Sequence, residues 1–328
     1  MSFYYQDIGK DWSIFQNWTQ YVSAAISLPL NSFLIYLIIA KSPEKLGAYK
    51  YLMISISVYE IAYSIVDVII SPICHSFGSA FLVIVITKHR ILSPSALLAL
   101  DATYCGFFGF SMAIFVIHFV YRYLVASGSN LLLTFNSYKI GLWLSIPLIV
   151  GIVWALVTLF LNGPTDEISE HVRYNVLKSL DLHLDEFVYV GPCFYWITES
   201  GEYVGNIKPI IGMIVLSFIL TSSITLVVFF SVKCYLRIKK MIGTKSRASR
   251  TTQNLQTQLF HALVIQTLIP AILMYLPVSV MFLFTFLNID LGSTSGTATI
   301  TIALYPAIDP LPNIIIIRHY RQAVCGEH

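Results

Sequence analysis

The sequence predicts an all-α membrane protein, a bundle of seven transmembrane helices with its N-terminus outside. Three observations predict it. Of 328 residues, 56% are hydrophobic and only 11% charged, against roughly 25% charged in ordinary soluble domains. The apolar residues gather into seven stretches, each near the roughly 20 residues that a membrane-crossing helix needs. Finally, Lys and Arg crowd one side of the arrangement those stretches define, as they do on the cytoplasmic side of membrane proteins.

Span one covers 14–40, inside a charge-free run from Trp12 to Ala40 that Lys41 closes. Span two covers 51–73 and carries Glu60 and Asp67. Span three covers 96–121, span four 140–161, span five 207–232, span six 259–287 and span seven 297–317, leaving a cytoplasmic tail at 318–328. Together they read as one seven-transmembrane domain over 1–328, with no separate soluble unit. The stretch Phe81 to Thr87 is apolar but too short to cross, and Lys88 and Arg90 follow it. It reads as an interfacial piece of the connection between spans two and three.

Direction follows from charge. With the N-terminus outside, the inner segments hold 14 Lys and Arg and the outer segments 6. Eleven of the 17 acids fall outside, eight of them between Asp166 and Glu202. The first residues lack the basic start and cleavage site of a signal peptide, so span one reads as its own targeting signal. The sequon Asn17-Trp18-Thr19 lies on the outer side, where it is either a glycan acceptor or an unmodified polar residue at the headgroups.

Polar residues inside the spans demand explanation, because carboxylates at membrane depth are costly and usually functional. Asn31 lies ten residues from Lys41, Glu60 ten from Lys50 and Asp309 nine from Arg318. At about 1.5 Å per residue all three stand about 15 Å above the inner surface. They form one polar layer with Pro310, either a water or sodium site that rearranges or a static hydrogen-bond network. Asp67 and Asp101 lie further outward and flank an outward-facing cavity. Tyr104 and Phe108 of span three, Met274 and Tyr275 of span six and Tyr305 of span seven supply the aromatic and apolar lining that a small ligand requires.

His118 and His261 share a depth near the inner face, and they are either a pH-sensitive pair or two unrelated residues. Pro270 and Pro277 in span six and Pro306, Pro310 and Pro312 in span seven permit these helices to bend. At the inner boundary, Tyr121-Arg122-Tyr123 closes span three with an arginine placed to hold a neighbouring helix at rest. The connection after span five carries Lys233, Arg237, Lys239, Lys240, Lys245, Arg247 and Arg250. That run suits anionic membrane lipids or a protein partner with an acidic face.

Four segments carry a family resemblance. They are LGAYKYLM from Leu46, HFVYRY from His118, QTQLFHALVIQTLIPAILMYLP from Gln256, and YPAIDP from Tyr305 with RHYR from Arg318. Together they resemble the nematode Str-type serpentine receptors, a seven-transmembrane chemoreceptor class that includes odorant receptors. The resemblance implies a plasma-membrane receptor of sensory neurons or their cilia, an odorant-like small-molecule ligand and a heterotrimeric G protein. It puts the coupling surface at Tyr121, Arg122, Tyr123, Arg237, Lys240, Arg318 and Arg321.

The chain departs from the rhodopsin-like pattern in three places. No acid precedes Arg122, no tyrosine completes the switch after Asp309-Pro310, and span six lacks the Cys-Trp-x-Pro toggle. The outer disulfide of such receptors implies a bond between Cys74 and Cys193 here, two free thiols being the alternative.

Competing functions fit less well. A ligand-gated channel of the insect odorant-receptor kind has the opposite orientation, and a small-solute transporter usually shows repeated halves. No lysine stands in 297–317 to hold retinal, no H-E-x-x-H motif or other catalytic constellation occurs, and no metal or cofactor motif is present. The net charge of +3, without a basic aromatic tract, leaves nucleic acid no footprint.

Overall fold

The computed structural model describes residues 2–88, 90–197, 202–243 and 250–326. Lys245 and Arg247 of the basic run lie outside the described residues. Among the described residues, seven helices are long and apolar enough to cross a membrane. The first, α1 (Ser2–Lys41), sets the vocabulary: the end of the bundle where it begins is called upper, and the end at Lys41 lower. Helix α2 (Tyr49–Ile70) returns to the upper end.

Span two was expected to reach Ile73, but α2 stops at Ile70. Ser71 takes a left-handed φ of 45° and donates its N–H to the Asp67 carbonyl at 2.8 Å. Pro72 has no N–H with which to continue the helix. Ile73 instead opens strand β1 (Ile73–Phe77), which pairs antiparallel with β2 (Ala80–Ile86). Strand β3 (Phe187–Val190) adds to the other edge of β2, giving the order β1-β2-β3.

The apolar run at Phe81 is therefore a buried strand and not an interfacial segment. Side chains alternate across a sheet, and both faces here are covered. Cys74, Phe81, Val83, Val85 and Val190 pack down on the bundle. Phe77, Ala80, Leu82, Ile84 and Tyr189 pack up against α5 (Asp166–Leu180) through its Ile168, Val172 and Val176. Burial on both sides explains why the run is continuously apolar instead of alternating.

Helix α3 (Pro94–Ser127) starts with Ser93 accepting the Ala96 N–H at 3.3 Å and with Pro94 in its first turn. It runs six residues past its expected end at Tyr121 and stops at Gly128 in a left-handed turn. Against it lies α4 (Ile140–Leu161). A Cβ added at Gly106 would stand 2.7 Å from the Gly151 carbonyl, so two glycines let these backbones touch. A small hairpin, β4 (Tyr195–Ile197) and β5 (Tyr203–Gly205), precedes α6 (Ile207–Gly243).

Helices α7 (Arg250–Pro270) and α8 (Leu276–Phe286) form one continuous rod. Between them Ala271–Tyr275 make a π-helical turn, set between Pro270 and Pro277. Such turns arise where the regular ladder is interrupted, and prolines interrupt it. The last span is α9 (Gly296–Ile308) followed by α10 (Leu311–Ile316), broken at Asp309 and Pro310. A short α11 (Arg318–Cys325) lies beyond it at the lower end.

The sheet is a lid tied to the bundle. The Cys74 N–H donates to Thr299 Oγ1 at 2.9 Å, Ser295 Oγ donates to the Cys74 carbonyl at 3.3 Å, and Gln20 Nε2 donates to the Pro72 carbonyl at 3.0 Å.

Candidate functional site

Three stations follow one another down the bundle. The upper one is a cavity beneath the lid. Its walls come from Tyr63, from Cys74, Phe81 and Val83 of the lid, from Tyr104, Cys105 and Phe108 of α3, and from Trp154, Thr158 and Asn162 of α4. Val190 to Pro192, Met213, Leu216, Val278, Phe282 and Ile302 complete it. None of these side chains is charged. Aromatic pairs hold the walls: Tyr63 stacks on Tyr104 at 5.0 Å, and Phe108 packs on Trp154 at 5.1 Å.

Gly191 seals one corner, donating its N–H to the Asn162 carbonyl at 2.7 Å. With φ at 148° and a hypothetical Cβ 2.0 Å from the Phe81 carbonyl, that corner has room only for glycine.

Of the seven ligand residues expected from sequence, Tyr104 and Phe108 line this cavity. The other five stand behind its wall. Asp67 is buried beside Tyr104, and Asp101 is buried beside Cys74 and Cys105. Tyr275 meets the ring of Phe108 edge-on at 5.0 Å and shares a 2.9 Å hydrogen bond with Ser111. Met274 and Tyr305 are buried in the same apolar cluster. The two carboxyls were placed too near the cavity because counting residues along a helix gives depth but not the facing direction.

The middle station gathers Asn31, Glu60 and Asp309 as the depth count indicates. Asn31 Nδ2 donates to the Pro306 carbonyl at 3.0 Å, and Tyr305 Oη donates to Glu60 Oε1 at 3.5 Å. The carboxyls of Glu60 and Asp309 face each other. Gln266 of α7 donates to Asp309 Oδ2 at 2.6 Å and accepts from Asn313 Nδ2 at 3.1 Å. Glu60 Oε2 and Asp309 Oδ1 have no partner among the described residues. Two touching carboxyls cannot both ionise cheaply unless a proton or cation lies between them. Gln266 and Asn313 were missed, although each is a lone amide in an apolar run, LVIQTLIP and PNIII.

The lower station is Arg122, buried and lying over the Tyr49 ring at 5.1 Å. It donates to the Gln256 backbone carbonyl at 3.0 Å and to the Gln256 side-chain oxygen. Among the described residues no carboxylate forms an ion pair with it. Tyr121 stacks on Tyr49 at 5.3 Å, and Tyr123 packs on Phe230. Arg237, Lys240, Arg318 and Arg321 are exposed around this end.

Three other expectations are corrected or weakened. His118 and His261 do not pair: His118 is buried against Tyr49 Oη at 3.3 Å and the Leu52 carbonyl at 3.1 Å, while His261 is exposed. Cys74 and Cys193 are free thiols on opposite faces of the lid, one against the bundle and one against α5. Burial pushes the Cys74 thiol up to about 12 and the Cys193 thiol up to about 11. Asn17 sits inside α1 with its carboxamide oxygen buried, a placement unfavourable to a glycan, whose acceptors lie on surface loops.

A seven-helix bundle with a lidded cavity at one end and a buried arginine at the other has the fold of the rhodopsin-type receptors. The squid rhodopsin crystal structure matches it with a TM-score of 0.61, covering 100% of this chain and 86% of that one at 13% identity. Within that class, the chain belongs to the Str family of serpentine seven-transmembrane GPCR chemoreceptors, whose family model matches residues 16–325. It is 39% identical to the Caenorhabditis elegans G-protein coupled receptor str-217, covering 95% of this chain and 89% of that protein. It is also 35% identical to serpentine receptor class r-10 of Caenorhabditis briggsae, covering 96% of this chain and 91% of that protein.

Proposed function

We propose that this chain is a chemosensory receptor, of the olfactory type, in the plasma membrane of a sensory neuron or its cilium. It binds a small molecule in the cavity under the lid and activates a heterotrimeric G protein at the lower end. The upper end faces outside, in keeping with the Lys and Arg bias of the sequence.

The observation that carries this reading is the separation of two unlike surfaces by one bundle. The cavity is uncharged and walled by aromatic and aliphatic side chains, as a small-ligand site should be. The opposite end carries exposed Arg237, Lys240, Arg318 and Arg321 around buried Arg122, suited to an acidic protein face or anionic lipid. Between them, Phe108 on the cavity wall touches Tyr275 on the π-helical turn of the rod that carries Gln266 and Gln256. A ligand pressing on Phe108 thus acts on the helix that holds Arg122.

The test is expression with a chimeric G protein and an odorant panel, read as intracellular calcium. Responses that disappear on G-protein blockade support the proposal. Ligand-evoked current that survives complete blockade overturns it in favour of a ligand-gated channel. An N-terminal epitope reached only after permeabilising the cell would overturn the orientation.

A further inference from the structure

We infer that the ligand reaches this cavity sideways, from the hydrocarbon of the bilayer, through a crevice between α6 and α8, and is an uncharged molecule that partitions into membranes. The inference rests on the reading of the cavity as the ligand site. Met213, Leu216, Ser217 and Leu220 of α6 form one side of the crevice, and Val278, Ser279 and Phe282 of α8 form the other. At its inner end stand Phe108 and Trp154, which also wall the cavity. Its outer residues Ser217 and Ser279 are exposed. The crevice thus runs from the outer surface of the bundle to the cavity wall.

That surface is at membrane depth. Ser217 lies nine residues after Lys208 and sixteen before Lys233, about 14 Å and about 24 Å along the helix from those charges. Exposed Phe218 and Leu283 neighbour the mouth, so acyl chains and not water lie against it. Among the described residues neither serine hydroxyl is hydrogen-bonded. Ser32 and Thr225, also exposed on their helices, return theirs to the carbonyl four residues back. The two hydroxyls at the mouth therefore offer a passing polar group a donor or an acceptor.

The other ways in are closed. From above, a ligand would have to part α5 from the lid and the lid from the bundle, through two apolar layers. It would also break the bonds that tie Cys74 to α9, Pro72 to α1 and Gly191 to the end of α4. Toward α4, a Cβ built at Gly212 of α6 would stand 3.0 Å from Asn162 Oδ1 and 3.1 Å from the Leu161 Cβ, so those helices touch. Between crevice and cavity there are only side chains: Met213, Leu216, Val278 and Phe282 line both. Met213 and Phe282 are half-buried, and a rotamer change in them joins the two spaces without moving a helix. A charged molecule is refused twice, by the hydrocarbon at the mouth and by a cavity wall without opposite charge.

The test uses the full-length receptor in lipid nanodiscs and a trifluoromethyl phenyl diazirine, a small uncharged photolabel that enters bilayers. The label is mixed in and flashed after increasing delays, and its adducts are mapped by mass spectrometry. Tyr104 and Cys105 report filling, because they line the cavity but not the crevice. Their labelling should slow about tenfold or more when Ser217→Trp and Ser279→Trp together close the mouth, and should reach the same final level. Phe282→Ala should speed it. Should the tryptophan variant not fold, Ser279→Cys capped after purification with benzyl methanethiosulfonate should slow filling in the same way.

Plugged receptors that fill as fast as the parent overturn the inference in favour of entry past the lid. So does faster filling in Gln20→Leu, which frees the Pro72 carbonyl from α1, with no change in Phe282→Ala. A plug that lowers the final level at an unchanged rate makes the crevice part of the binding seat and overturns the inference as well. If Tyr104 and Cys105 of the parent carry no adduct at any delay, the cavity reading itself falls. That failure is distinguishable because it shows in the parent protein, before any variant is compared.

Discussion

Arg122 and Gln256 form a clasp between α3 and α7, in which one guanidinium nitrogen reaches both the backbone carbonyl and the side-chain oxygen of the same residue. A neutral amide here takes the place of an acidic partner, and the Tyr49 ring lies over the guanidinium at 5.1 Å. Hydrogen bonds to a charged group are each worth about 1.5–3 kcal/mol. If the clasp holds the lower end of α7 at rest, Gln256→Leu should raise ligand-independent signalling about tenfold. Arg122→Gln should abolish most coupling with surface expression intact. Basal G-protein activation normalised to surface label decides it, and an unchanged basal level in Gln256→Leu would refute the clasp.

Tyr275 makes a second testable contact. It does not line the cavity, yet it touches Phe108 at 5.0 Å and Ser111 Oγ at 2.9 Å, and it closes the π-helical turn. Tyr275→Phe keeps the ring contact and loses the hydroxyl, a change of about 0.5–1.5 kcal/mol. Ligand affinity should stay within about twofold, while the ratio of basal to maximal signalling moves by about two- to tenfold. Equal losses in affinity and in efficacy would mean that Tyr275 acts only through cavity shape.

The polar layer shows what the sequence could and could not disclose. Residue counting from the charged ends placed Asn31, Glu60 and Asp309 at one depth because helical rise is constant, and the structure brings them together. Arg122 was legible as a boundary residue for the same reason. Gln256 was not, because an amide at the foot of a span is chemically ordinary until its neighbour is known. The lid was missed because a strand buried on both faces has no alternation, and Phe81 to Ile86 then looks like a fragment of apolar helix. Cavity residues such as Trp154 and Asn162 depend on which way α4 turns, which is set by the Gly106 and Gly151 crossing and not by α4 alone.

Glu60 and Asp309 face each other with one oxygen each unpartnered among the described residues. If the pair shares a proton, Glu60→Gln supplies a permanent donor to Asp309, and the protein should keep its thermal stability. Glu60→Leu removes that donor and leaves a buried carboxyl unsatisfied, costing about 1–3 kcal/mol. Asp309→Leu should cost at least as much, since Gln266 Nε2 then loses its acceptor as well. Melting of the nanodisc-embedded variants separates the cases. Equal destabilisation by Gln and Leu at position 60 would show that the layer needs charge, and a metal cation would then replace the proton in the argument.

The lid should weaken in acid. His75 reaches up from β1 to Asn175 Oδ1 at 2.9 Å, and His171 of α5 packs between Phe77 and Trp196. Burial lowers both imidazoles from their ordinary range, although for His75 the Asn175 bond and the charge of Asp290 act in the opposite direction. A histidine whose folded value is depressed binds its proton more readily when unfolded, so stability is intact above the ordinary value of about 6.5 and declines as pH falls below it. Hydrogen exchange of the Ile73–Ile86 hairpin should therefore quicken between about pH 7 and pH 5 after correction for intrinsic rates. The double variant His75→Gln, His171→Phe should lose that dependence, because Gln keeps a partner for Asn175 and Phe keeps the ring stack. A hairpin equally protected at both pH values in the parent protein would sink the argument.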